Sequence, residues 1–192
     1  MAEKGTRAFW TVANILSLLR ILLIPVFLLM LVFHESLAAL VVFLLAGLTD
    51  LLDGLAARIW HQKTKIGVVL DPAADKLLML AAFVALTLPS LSSPNVIPSW
   101  LTAVVVGRDI LITSSSLILV KLKGPRVFHP TLLGKTSTFC QMGVVLLVLF
   151  LNFIQTTPDF LWWFYSLTLV LTVLSGIQYC SIGVRMLREK TP

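Results

Sequence analysis

Two pairs of aspartates set the problem this chain must solve in folding. Asp50 with Asp53, and Asp71 with Asp75, supply four of the nine acidic residues in the sequence. The runs on either side of them are apolar enough to cross a bilayer. An aspartate at the centre of a membrane helix costs about 2.5–3.5 kcal/mol, less towards the interface, so four uncompensated ones would cost up to roughly 10 kcal/mol. That is as much as the whole stability of a typical domain. The fold must therefore bring something to these carboxylates that offsets their charge.

Spacing suggests how. Asp53, Gly54, Ala57 and Arg58 lie three, four, seven and eight residues after Asp50, which on a helix places all five on one stripe. Asp71 and Asp75 repeat the four-residue spacing one segment later. If the two helices meet, their carboxylates converge on one polar cavity lined by the small residues Gly54 and Ala57. Hard oxygen donors without a Cys or His cluster suit Mg²⁺, Mn²⁺ or Ca²⁺ and argue against zinc or copper. Small residues let a ligand lie close to the backbone.

Composition bounds the architecture. Of 192 residues, 58% are hydrophobic and only 12% are charged, the mark of an integral membrane protein with little room for a soluble domain. A single all-α bundle over residues 1–192 is expected. The net charge of +6 does not point to nucleic acid, because the basic residues sit in short loops and no base-stacking surface accompanies them. An anionic lipid surface is the better partner. Cys140 and Cys180 lie in apolar segments without a CxxC partner and are expected to be buried, inert thiols. Lys4 and Arg7 precede the first apolar run, but no small-residue cleavage site follows, so that run is expected to be a retained helix.

Six transmembrane helices are predicted, over about 14–33, 37–60, 67–88, 100–120, 135–153 and 160–184, after a short interfacial segment at 8–13. Arg20, about a third of the way into the first, either snorkels to the headgroups or faces the acidic cavity. Asp71 followed by Pro72 also fits a helix cap with proline in the first turn. Arg108 and Asp109 are adjacent, about 100° apart on a helix, so the two are not expected simply to cancel. His34, His61 and His129 read as exposed loop residues, and Trp162, Trp163 and Tyr165 as an interfacial aromatic belt. With a cytosolic N-terminus, Arg58, Lys63, Lys65, the loop from Lys121 to Lys135 and the basic C-terminus fall on one side, and the opposite loops carry no Lys or Arg. The positive-inside rule then places the four aspartates near the cytosolic face.

The pattern D-x2-D-G-x2-A-R-x8-G-x3-D-x3-D, running from Asp50 to Asp75, resembles the signature of the CDP-alcohol phosphotransferases at all eight fixed positions. That resemblance implies a membrane enzyme that moves a phosphatidyl or similar group from a CDP-linked donor to an alcohol. It implies two Mg²⁺ or Mn²⁺ ions held by Asp50, Asp53, Asp71 and Asp75, with Asp75 also the general base. It further implies that Asp50, Gly54, Ala57, Arg58 and Gly67 bind the donor nucleotide, and that the protein is a homodimer.

The segments from Asn14 to Arg20 and from Gly67 to Lys76, together with Arg108-Asp109-Ile110 and Gly134-Lys135-Thr136, look most like the phosphatidylglycerophosphate synthase branch. This implies CDP-diacylglycerol as donor, glycerol 3-phosphate as acceptor and CMP as product, at the cytosolic face of a bacterial inner membrane. The acceptor's dianionic phosphate needs cations, for which Arg108, Lys135 and Arg185 are the candidates. Asp109 stands where that branch has glutamate, and the loop from Gly124 to Pro130 is atypical, so phosphatidylglycerol as acceptor, a cardiolipin synthase activity, stays open. A cation transporter using the aspartates is the alternative of another class. It predicts ion flux without nucleotide and gives no reason for Gly54, Ala57 and Arg58.

Overall fold

The computed structural model describes the backbone over residues 12–60, 67–123 and 131–188, and side chains over 15–50, 72–115 and 131–183. Six α-helices follow one another: α1 (Val12–Val32), α2 (Ser36–Trp60), α3 (Gly67–Thr87), α4 (Ser99–Lys123), α5 (Leu132–Phe153) and α6 (Leu161–Arg188). No strand occurs among the described residues. The expected interfacial segment at 8–13 falls almost wholly outside them, as do the link at 61–66 with His61 and the loop at 124–130 with His129.

Three helices carry stretches long and apolar enough to cross a membrane, at Ile15–Val32, Leu132–Phe153 and Leu161–Gly183, and α2 opens with a shorter apolar run, Ser36–Asp50. In the remaining helices charges interrupt the apolar sequence: Asp50 and Asp53 in α2, Asp71, Asp75 and Lys76 in α3, Arg108 and Asp109 in α4. Large apolar side chains such as Leu22, Leu29, Val170 and Ile177 are exposed along α1 and α6. Hydrocarbon solvates such a surface and water does not. The chain is a membrane protein.

Contacts divide the chain into two compact units. The first comprises residues 1–96 and 146–156, with α1, α2, α3 and the end of α5. Its α1 packs against both α2 and α3. The α1–α2 turn closes because His34 adopts a left-handed conformation (φ 59°). There the amide of His34 bonds to the carbonyl of Leu31, and that of Glu35 to the carbonyl of Met30, the paired bonds of a Schellman cap. His34 itself is exposed, as expected.

The hairpin this turn creates buries Ala39, Phe43 and Ala46 along one stripe of α2, with Phe27 and Leu31 buried on α1. Phe27 meets Phe43 with ring centroids 5.8 Å apart, and the two alanines let the helix backbones approach closely. On α3 the buried stripe is Ala74, Leu78, Ala82 and Leu86. The helix begins at Gly67, so Asp71 and Pro72 lie inside it rather than at its cap. The capping explanation for Asp71 is thereby removed. Pro72, lacking an N–H, leaves the carbonyl four residues earlier without its helical bond.

A knot of amides closes this unit beyond α3. The backbone N–H and side-chain Nδ2 of Asn95 donate to Asn152 Oδ1 at 2.7 and 2.9 Å. Asn152 Nδ2 donates to Ser92 Oγ and to the Asn95 carbonyl at 2.9 and 3.1 Å. All three residues are buried, so each polar group needs such a partner.

The second unit comprises residues 97–145 and 157–192, in which α4 packs on α6. Thr131 caps α5, its Oγ1 accepting the amide of Gly134 at 3.0 Å. This starts α5 three residues before the position expected from the apolar run. Along α6, Leu161, Tyr165, Thr168, Thr172 and Ser175 are buried at alternating spacings of four and three. Thr172 bonds with Ser137 and Gln141 of α5, joining those helices through a buried polar seam. Two expectations fail here. Tyr165 is buried, with its ring edge-on to Trp162, so only Trp162 and Trp163 remain exposed for an aromatic belt. Cys140 is half-buried and Cys180 exposed, both as free thiols, because an apolar segment in a membrane protein has a lipid-facing side as well as a core-facing one.

Candidate active site

The first half of the acid pattern stands on one unbroken helix. Positions 50, 53, 54, 57 and 58 all fall within α2, and positions 67, 71 and 75 within α3. The sequence spacing is therefore spacing along two real helices. Side chains are described for Asp50 and Asp75, whereas those of Asp53, Ala57, Arg58 and Asp71 lie outside the described residues, and at Gly54 and Gly67 only the backbone is described. Among the described residues no group of three His, Cys, Asp or Glu side chains forms a metal site. Asp75 is half-buried.

Asp50 has a partner that settles the two readings of Arg20. Arg20 is fully buried, and its Nη1 lies 3.0 Å from Asp50 Oδ1, whose side chain is 43% exposed. The Arg20 Nε–H donates to the carbonyl of Ala46, one turn before Asp50, at 3.3 Å. Going from Phe27 to Arg20 and from Phe43 to Asp50 is seven residues along each helix, in opposite directions, so the α1–α2 register that brings the rings into contact also brings the charges together. Arg20 faces the acid pattern and does not snorkel. As for a metal, Asp50 supplies a partly exposed carboxylate, a hard oxygen donor. That chemistry fits a divalent hard cation.

The second unit holds the candidates for an acceptor phosphate. Arg108 Nη1 donates to Asp109 Oδ1 at 2.7 Å, contrary to the expectation that neighbours on a helix would not cancel. The arginine stem is long enough to bring its head round to the next residue's carboxylate, which a comparison of Cβ directions overlooks. Arg108 Nη2 donates to Ser175 Oγ at 2.9 Å, tying α4 to α6. Its guanidinium also lies 5.8 Å from the ring centroid of Tyr179, within reach of a cation–π contact. Lys135 is exposed in the first turn of α5. Arg185 lies in α6, with its side chain outside the described residues.

Tyr179 is the residue that reading the sequence missed. Its hydroxyl accepts the backbone N–H of Thr131 at 3.3 Å, and a Cβ at Gly134 would come within 2.9 Å of that oxygen. The ring thus joins Arg108 of α4 to the start of α5, on the helix that also carries Arg185. The signal was present: Thr168, Thr172, Ser175 and Tyr179 recur at spacings of four, three and four, one polar stripe along a largely apolar helix.

Comparison with known proteins now decides the family. The family model described as CDP-alcohol phosphatidyltransferase matches residues 10–174. The chain belongs to the CDP-alcohol phosphatidyltransferase family. It is similar to a cardiolipin synthase (CMP-forming) of Homo sapiens, 32% identical over 94% of this chain and 65% of that protein. It is similar to a probable phosphatidylglycerophosphate synthase of Mycobacterium tuberculosis (strain ATCC 25618 / H37Rv), 33% identical over 94% of this chain and 85% of the relative. A CDP-diacylglycerol–glycerol-3-phosphate 3-phosphatidyltransferase of Aquifex aeolicus is 31% identical over 92% of this chain and 97% of its own length. The chain spans less than two thirds of the human protein and 61% of a probable cardiolipin synthase of Drosophila melanogaster. CDP-alcohol phosphatidyltransferases are enzymes, and the acid pattern of α2 and α3 lies wholly inside the matched region.

Proposed function

We propose that this enzyme transfers the phosphatidyl group of CDP-diacylglycerol to the hydroxyl of sn-glycerol 3-phosphate, releasing CMP and forming phosphatidylglycerophosphate. The observation that carries the reading is the complete acid pattern on α2 and α3 within a chain matched across residues 10–174 by the family model. The relatives named as phosphatidylglycerophosphate synthases, similar over nearly their full length, support this acceptor.

In this reading Asp50, Asp53, Asp71 and Asp75 hold two Mg²⁺ or Mn²⁺ ions, which when bound neutralise the diphosphate of the donor. Gly54, Ala57 and Gly67 give the nucleotide close access to the backbone, and Arg58 offers a charged fork to a phosphate. Asp75 takes the proton of the acceptor hydroxyl as its oxygen attacks the lipid-side phosphorus. The bond from that phosphorus to the oxygen of CMP breaks, and CMP leaves. Arg108, Lys135 and Arg185 meet the acceptor's phosphate. All six helices cross the bilayer, a bacterial inner membrane in this reading, with the aspartates near the cytosolic face, and two copies pair as a homodimer.

A second acceptor, phosphatidylglycerol, is favoured by one observation. Asp109 already occupies Arg108 Nη1 at 2.7 Å, which reduces the charge available for a free dianion and suits a less highly charged phosphodiester headgroup. The experiment is a competition: purified protein with CDP-diacylglycerol and equal amounts of labelled glycerol 3-phosphate, phosphatidylglycerol and inositol phosphate. Label from glycerol 3-phosphate in the lipid fraction is the expected result. Preferential conversion of phosphatidylglycerol to cardiolipin overturns the first acceptor in favour of the second.

A further inference from the structure

The Arg20–Asp50 pair is asymmetric in a way that a pair built only for stability does not require. The cation is sealed, with its side chain 0% exposed, while the anion it holds is 43% exposed. Buried ion pairs are poor stabilisers, because desolvation offsets much of their attraction, and apolar side chains of similar volume often serve as well. Here the helices already have an apolar contact to set their register, the Phe27–Phe43 pair. What the guanidinium adds is a fixed position for one carboxylate. Its Nε is tethered to the Ala46 carbonyl, one turn back on the helix that carries Asp50, and its Nη1 lies 3.0 Å from Asp50 Oδ1 as an ion pair.

We propose that Arg20 is a positioning residue for the metal site: it holds Asp50 from behind, in the orientation in which its exposed side coordinates a divalent cation. The inference rests on the reading of Asp50 as a metal ligand. It makes a directional claim. Were Arg20 merely a nearby positive charge, removing it would relieve repulsion and tighten cation binding. If it orients the ligand, removing it must weaken binding, because a freed carboxylate has to be ordered again when the cation arrives.

The test is an equilibrium Mn²⁺ titration of the full-length purified protein in detergent, read from the electron paramagnetic resonance signal of free Mn²⁺, with no substrate and no turnover. Arg20→Gln is expected to raise the Mn²⁺ dissociation constant about tenfold or more, as loss of an outer partner of a metal ligand does. Arg20→Lys, which keeps the charge but loses the Nε tether, should fall between. In the Asp50→Asn background, Arg20→Gln should add little, since the group it positions is gone. Unchanged or tighter binding in Arg20→Gln overturns the proposal, as does the same weakening with and without Asp50. If Arg20→Gln does not fold, Arg20→Lys decides alone, and wild-type affinity in it overturns the proposal. Failure of the wild-type protein to bind Mn²⁺ at all is a separate result that refutes the metal reading itself.

Discussion

The amide knot beyond α3 gives a stability prediction that can be worked from its bonds. Asn152→Ala removes the acceptor of the Asn95 backbone N–H and the donor to Ser92 Oγ and the Asn95 carbonyl. Asn95 Nδ2 keeps the carbonyl of Thr156, and Ser92 Oγ keeps that of Asn95. One buried donor is therefore left without an acceptor and three further bonds are lost, that of Asn95 Nδ2 to Asn152 Oδ1 and the two donated by Asn152 Nδ2. An orphaned buried group costs about 1–3 kcal/mol and each ordinary bond about 1, so the total is about 4–6 kcal/mol. At roughly 2–4 °C per kcal/mol for a chain of this size, the melting temperature should fall by about 8–24 °C. Asn152→Asp, nearly isosteric, should do no better, since it loses both Nδ2 bonds and buries a carboxylate among acceptors. Thermal unfolding of the solubilised protein, followed by tryptophan fluorescence, reads the shift. CMP release well below the transition should persist, because Asp75 lies twelve residues before the end of α3, about 18 Å of helix. An unchanged melting temperature in both variants would refute the bookkeeping, and lost activity in folded protein would refute the separation of knot and site.

Other consequences concern the site. Asp75→Asn should lower the rate of CMP release by about 10²–10⁴, the usual contribution of a general base, and Asp71→Asn should also collapse it; full activity in either removes that residue from its role. Chelation with EDTA should abolish CMP release and excess Mg²⁺ or Mn²⁺ restore it, as a product assay before and after dialysis would show. Gly134→Ala places a methyl 2.9 Å from the Tyr179 hydroxyl and 3.1 Å from Thr131 Oγ1. It should destabilise by about 1–3 kcal/mol through overpacking, and by less in a Tyr179→Phe background. Equal costs in the two backgrounds would show that the hydroxyl is not the obstacle.

Much of the fold was legible because charge and polarity are scarce in this sequence, so each apolar run stands out. All six helices fall within a few residues of their expected bounds, and the misplaced start of α5 traces to Thr131, whose capping role needs the backbone to be seen. That Asp50 and Asp53 share one helix, and Asp71 and Asp75 the next, was legible from their spacing. Side-chain reach and helix facing were not: Arg108 turns to its own neighbour, Tyr165 points inward and Cys180 outward. Arg20 left two directions open until the α1–α2 register was fixed, since periodicity within one helix says nothing about which helix lies opposite. Tyr179 was passed over because its partners, Arg108 and Thr131, are far from it in sequence.

The most direct measurement is CMP formation from CDP-diacylglycerol by the purified protein, with and without divalent metal, in wild type and in Asp71→Asn. CMP should appear only when metal and an acceptor alcohol are both present, and should vanish in the variant. CMP release that survives metal removal in both proteins, or no CMP with any acceptor offered, would contradict a metal-assisted transfer at the acid pattern of α2 and α3.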